Sequence, residues 1–168
     1  MGLCRSSRFA PGRIYPRVNT VELWSGSEQG YTQMELIKVV IRYADGKVVK
    51  GYTRDFFPNK SLFHLEVLSG DSKGEVIEVQ LQELKAVFFV RDFLGNPSYN
   101  ERKYFLAGQQ LTGRKVKVLF KDGEVLIGST VGCDPKRQGF FFFPADPETN
   151  NLKIYAVMSA VSKIDFLR

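Results

Sequence analysis

Residues 38–91 can be laid on residues 115–168, an offset of 77, without a gap and with identity at 12 of 54 positions. Average composition would give roughly 3 such matches by chance. The shared positions include those that steer a backbone: Asp45-Gly46 returns as Asp122-Gly123, Gly51 as Gly128, Thr53 as Thr130 and Pro58 as Pro135. One backbone plan is therefore used twice. Each copy is near the lower size limit for a unit that stands alone, because a small unit buries a smaller fraction of its surface. The copies gain by packing together over a shared seam.

Within each copy the apolar residues fall in short β-branched and aromatic segments bounded by turn formers, the signature of strands. Lys38–Tyr43 and Val48–Thr53 flank Ala44–Lys47, where Asp-Gly suits the positive φ of a tight hairpin. Gly51 marks a bend or bulge in the return strand. Strands near Leu62–Leu68, Val76–Leu81 and Leu84–Val90 complete the first copy, with Gln82-Glu83 as the short link. The second copy runs through Lys115–Phe120, Val125–Thr130, Phe140–Phe143, Lys153–Met158 and Val161–Leu167. Between the copies, Gly95, Pro97, Ser98 and Asn100 predict irregular chain, with a short strand at Lys103–Leu106. A connection this long is expected to be strapped down, with Phe93, Tyr99, Tyr104, Phe105 and Leu106 filling a seam. At the start, a short strand is expected at Val21–Trp24 and a capping pair at Thr32 and Glu35. The resulting organisation is all-β: a partly ordered extension over 1–36, a first five-stranded barrel unit over 37–93, an ordered linker over 94–114, and a second barrel unit over 115–168, packed together.

Composition narrows the chemistry. The net charge is +6, divided as +1 over 1–37, +1 over 38–93, +1 over 94–113 and +3 over 114–168, with no run of five basic residues. A duplex-binding groove needs a cluster of Lys and Arg aimed at phosphates, so this surplus leaves weak RNA contact as the nucleic-acid option. Two cysteines in unrelated contexts, Cys4 and Cys133, and a single histidine cannot build a Cys/His metal site. They suit a reducing compartment. With no 18-residue apolar run and no signal-peptide pattern, the sequence predicts a cytoplasmic protein with no membrane contact, no metal and no cofactor.

Two resemblances follow from particular residues. Each copy reads as strand, Asp-Gly turn, strand ending near Gly, loop, strand, long turn, strand, short link and strand. Asp45-Gly46, Gly51, Asp55, Asn59 and Leu62 keep the spacing of the first motif of the Sm-like group. The resemblance implies a small SH3-like bent barrel in each copy. It implies an RNA pocket only in part: Lys136 replaces Asn59 in the second copy, and Gln82-Glu83 and Ser159-Ala160 stand where an Arg-Gly pair belongs. The phrases Arg42–Gly46, Val90–Phe93 and Phe142–Pro147 make the whole chain similar to an uncharacterised bacterial family of tandem modules. Its members occur alone or beside cyclic-dinucleotide-binding or phosphorelay domains, which implies a signalling or adaptor role.

No catalytic constellation stands out. His64 lies between Phe63 and Leu65 and aligns with Phe141, a packing position, and Ser61 has no acid partner at triad spacing. Asp45 and Asp122 are explained as turn formers. Arg13 and Arg17 form an RxxxR pair of a kind that can clamp a phosphate. The best interaction surface is aromatic, Phe56 and Phe57 with Phe141 and Phe143, since a Phe-rich strand cannot solvate both faces cheaply. The expected function is a non-catalytic interaction or regulatory module with a protein partner or self-association. The alternative is weak RNA binding through Arg42, Asn59, Lys60, Lys115, Lys117, Lys136 and Arg137, with an enzyme of unknown class third.

Overall fold

Both hairpin turns are built by Asp-Gly in the same way. Gly46 and Gly123 take φ of 95° and 88°, a left-handed conformation that glycine adopts without a steric penalty. The Asp45 side chain accepts the Lys47 amide at 2.9 Å, and Asp122 accepts the Glu124 amide at 3.0 Å. These turns join the first two strands of each copy in a computed structural model that describes residues 36–168. The Val21–Trp24 strand, the Thr32/Glu35 cap, the Arg13/Arg17 pair and Cys4 lie outside the described residues.

Ten strands follow one another: β1 (Ile37–Tyr43), β2 (Val48–Thr53), β3 (Leu62–Val67), β4 (Val76–Gln80), β5 (Leu84–Val90), β6 (Arg114–Phe120), β7 (Val125–Thr130), β8 (Gly139–Pro144), β9 (Asn151–Val157) and β10 (Val161–Phe166). Short 3₁₀ turns at Leu81–Glu83 and Met158–Ala160 link the last two strands of each copy. The duplication extends to register. Val39 pairs with Gly51 and Phe89, and Val116 pairs with Gly128 and Phe166. The strand glycines also do the same work: a Cβ on Gly51 would lie 2.3 Å from the Glu66 carbonyl oxygen, and one on Gly128 would lie 2.1 Å from that of Phe143. Only glycine lets the neighbouring strand approach so closely.

The two Sm-like barrels expected from the sequence are not formed. All ten strands belong to one open antiparallel sheet in the order β10-β6-β7-β8-β9-β5-β1-β2-β3-β4. Closing the first unit would require β5 to pair with β4, but β9 occupies that edge: Ala86 faces Ala156, Val87 faces Tyr155, and Phe88 faces Ile154. The physical reason lies in β5 itself. Its sequence, LKAVFFV, is buried at all seven positions, and a strand without alternation needs cover on both faces and partners on both edges. Val87 and Phe89 join a core with Val39, Ile41, Phe63 and Leu65, while Ala86, Phe88 and Val90 join another with Val116, Val118, Phe120 and Phe142. Successive strand residues point to opposite faces, so the two cores lie on opposite faces of the seam. β9 is divided likewise, Tyr155 and Val157 entering the first core and Ile154 and Ala156 the second. Among the described residues, no helix is long and apolar enough to cross a membrane.

Residues 91–113 are held mostly by polar bonds. Tyr104 and Leu106 are exposed, and the Lys103–Leu106 strand does not form. Buried Asp146 instead accepts the Tyr99 hydroxyl at 2.7 Å and the Arg102 amide at 3.0 Å, while the Gln109 side-chain amide donates to the Ala145 carbonyl at 2.8 Å. Burial pushes the Asp146 carboxyl up, but the bonds from Tyr99, Arg102 and Glu148 outweigh it and hold the group below the usual carboxylate range. Phe93 does fill a seam, edge-on to Tyr52 at 5.2 Å.

The free edges, β4 and β10, differ from the seam at the positions that would face a partner. Where β9 carries Tyr155 and Val157, β4 carries Glu78 and Gln80; where β5 carries Ala86 and Phe88, β10 carries Lys163 and Asp165. Charges at such positions blunt an edge against pairing. Replacing them with the seam residues (Glu78→Tyr, Gln80→Val, Lys163→Ala, Asp165→Phe) is expected to make the two edges complementary and drive head-to-tail association. Light scattering should then show a mass that rises with concentration above that of the wild type. An unchanged mass would mean that seam pairing depends on the two copies being tethered in one chain.

Candidate functional site

An open cleft of about 990 Å³ lies between the loop after β2, the loop after β7, and strands β8 and β9. The first copy contributes Pro58 and Asn59. The second contributes a turn in which Asp134 accepts the Lys136 amide at 2.9 Å through its side chain and the Arg137 amide at 3.0 Å through its carbonyl. That turn displays Lys136 and Arg137, both exposed, at the rim. Arg114, at the start of β6, and Lys153, on β9, add two more cations. The one carboxylate in the lining, Asp134, sits 3.9 Å from the Arg137 guanidinium. Aromatic groups form the floor. Tyr155 is fully buried and donates its hydroxyl to the Pro58 carbonyl at 3.1 Å, so a second-copy side chain is anchored to a first-copy loop. The Lys153 ammonium stands over the Phe89 and Phe141 rings at 4.7 and 4.8 Å, where the ring quadrupole attracts it.

Of the residues singled out in the sequence, Asn59, Lys136, Arg137, Phe141 and Phe143 converge on this cleft. Phe56 lies deeper, in edge contact with Phe63, Phe89 and Tyr155 at 5.1–5.3 Å, and so closes the first core. Phe57 is exposed, with the Lys60 ammonium 4.7 Å above its ring. Lys115 and Lys117 do not line the cleft; on β6 they point to the face opposite Arg114. Arg114 and Lys153 escaped the sequence argument because nothing in their own strands, β6 and β9, marks them as neighbours, and only pairing across β6–β9 brings them near the loops. His64 is exposed and its Nδ1 lies 2.7 Å from Asp55, which also accepts the His64 amide at 2.9 Å. Burial raises the Asp55 pKa, but the bonds with His64 dominate and leave it lowered.

Arg42 has a structural task. Its guanidinium donates to Glu124 at 3.2 Å and lies over the Phe88 ring at 4.7 Å. Beside it, Lys85, the one charged residue of β5 and almost fully buried, pairs with both Asp122 and Glu124. Two first-copy cations thus hold the second-copy hairpin. The Lys85 bond holds the Asp122 carboxyl below its usual range, helped by the Glu124 amide.

The model of one protein family, described as a family of unknown function, matches residues 36–168. No curated protein and no solved structure matches the chain.

The clasp predicts a pH dependence. A carboxylate whose folded pKa is depressed stabilises the fold above its unfolded pKa, about 3.9, and that contribution is lost as pH falls through the lower folded value. The melting temperature of the wild type should therefore fall as pH drops below about 4. Lys85→Met should lower the melting temperature at neutral pH and flatten its acid-side decline. Equal slopes for the two proteins would remove Lys85 from this linkage.

Proposed function

Since the chain belongs to DUF6982, a family of unknown function, and its strands form no Sm-like barrel, we propose a role from the cleft itself: the protein is a non-catalytic interaction module that captures an anionic partner. The observation that carries this reading is the charge of the lining, in which Arg114, Lys136, Arg137 and Lys153 face a single carboxylate that is already near Arg137. Cations gathered on the low-dielectric wall of a cleft focus their field and raise the local concentration of an anion. Asn59 adds a neutral group that can donate and accept at the same rim. The loops from the two copies bracket the site, so a ligand would touch both copies and make the duplication useful. Guanidinium, ammonium and aromatic groups hold and orient a partner. The imidazole of His64 is engaged with Asp55 and is not in the lining.

The test is binding of fluorescent polyanions to the full chain, read by anisotropy across a salt series. Lys136→Glu with Arg137→Glu should weaken every polyanion by about tenfold or more. For a single-stranded ligand it should also flatten the salt slope by about 0.7 for each phosphate that is no longer neutralised. Lys73→Glu, which reverses one exposed charge in the turn between β3 and β4, outside the lining, should have little effect. Equal weakening by the Lys73 and Lys136/Arg137 variants would assign the binding to overall charge and sink the cleft.

A further inference from the structure

We infer that Phe143 is a stacking platform and that the partner taken by the cleft is a single-stranded polynucleotide, its phosphates on the cationic rim and a base on the Phe143 ring. The inference rests on the anionic-partner reading above and adds the ligand's chemistry to it.

Phe143 stands apart from the other β8 aromatics. Phe140 and Phe142 are buried in the second core, and Phe141 packs on the first with edge contacts to Phe56 and Tyr155. Phe143 is only half-buried, belongs to neither core, and among the described residues has no ring pair. It lines the large cleft and also a smaller groove of about 230 Å³ beside it, so it forms the ridge between them. The duplication provides an internal control. At the corresponding position the first copy has Glu66, an exposed strand residue. The backbone plan therefore does not demand an apolar side chain there, and a phenyl ring left partly in water forgoes the stabilisation of burial. Its cross-strand partner on β7 is Ser129, too small to cover the ring.

An aromatic face beside Arg and Lys side chains is the arrangement that holds single strands: cations track the phosphates while bases stack, with little dependence on sequence because every base has a π face. An acidic peptide would use the cations but has no use for the ring. A duplex would present phosphates with its bases already stacked on one another.

The experiment uses the full chain, 5′-labelled ten-nucleotide oligouridine and oligothymidine, inorganic polyphosphate, and a decaglutamate peptide, all at low salt. Phe143→Ala is expected to weaken both oligonucleotides by about 5- to 140-fold, the loss of one stacked base, and to leave polyphosphate binding unchanged, which also shows that the variant is folded. Phe143→Trp, which keeps a stacking face, should retain oligonucleotide binding. Equal affinity for oligouridine and oligothymidine supports a single strand of either sugar, and a preference for one identifies its source when oligodeoxyuridine, which lacks the thymine methyl group, shows the same preference relative to oligouridine. If Phe143→Ala leaves oligonucleotide affinity unchanged while the Lys136/Arg137 variant lowers it, stacking is overturned and the anionic-partner reading stands. Tighter binding of decaglutamate than of either oligonucleotide overturns the polynucleotide in favour of an acidic protein segment. No binding of any polyanion overturns both readings.

Discussion

The pairing of β5 with β9 is the constraint on which the rest of the molecule depends. It joins the fifth strand of one copy to the fourth strand of the other, and every side chain along β5 is buried between the two copies. Each large apolar side chain so buried contributes about 1.5–3 kcal/mol, and two cores draw on the same two strands from opposite faces. Neither copy owns a complete core: Tyr155 and Val157 of the second copy complete the first core, and Ala86 and Phe88 of the first copy complete the second. A 54-residue unit near the lower size limit for standing alone here shares surface with its duplicate.

The seam also explains why the copies have diverged. Identity survives where the backbone is demanding, at the Asp-Gly turns and at Gly51 and Gly128, where a neighbouring carbonyl leaves no room for a Cβ. It disappears where the environments differ. Lys85 sits on β5 and reaches the acidic hairpin of the second copy, while its counterpart, Ser162, is exposed on a free edge. Glu124 meets Arg42 and Lys85, while its counterpart, Lys47, stands over the Tyr43 ring. The cleft follows the same logic. Equivalent loops, one after β2 and one after β7, are placed side by side, and their different sequences make the asymmetric rim of Asn59 on one side and Lys136 with Arg137 on the other.

Much of the local structure was legible in the residues. The strands begin and end within a few positions of where β-branched runs and turn formers place them, and both hairpins follow from Asp-Gly chemistry. The candidate site was legible in its loop residues, because Lys136 and Arg137 stand in a turn that must be exposed. Arg114 and Lys153 were not, since a cation in a strand carries no sign of what lies across the sheet. The barrel expectation failed on a signal that was present. Leu84–Val90 is apolar at every position but Lys85, while its duplicate, Val161–Leu167, is interrupted by Ser162, Lys163 and Asp165. Two strands with one ancestry and opposite patterning must occupy different positions in a sheet, one central and one at an edge.

By itself the sequence determined that one strand plan is used twice, where its turns fall, and that the second copy carries more of the positive charge, because these depend on backbone preference and on neighbours within a few residues. The tertiary structure decided which strand edges meet, and with them the open sheet, the two shared cores and the gathering of four cations around one cleft. Edge pairing joins residues such as Phe88 and Ile154 that lie far apart in the chain. The competition between closing each unit and joining the two is settled by how much apolar surface each arrangement buries on both faces of β5, a sum over the whole sheet that no local segment contains.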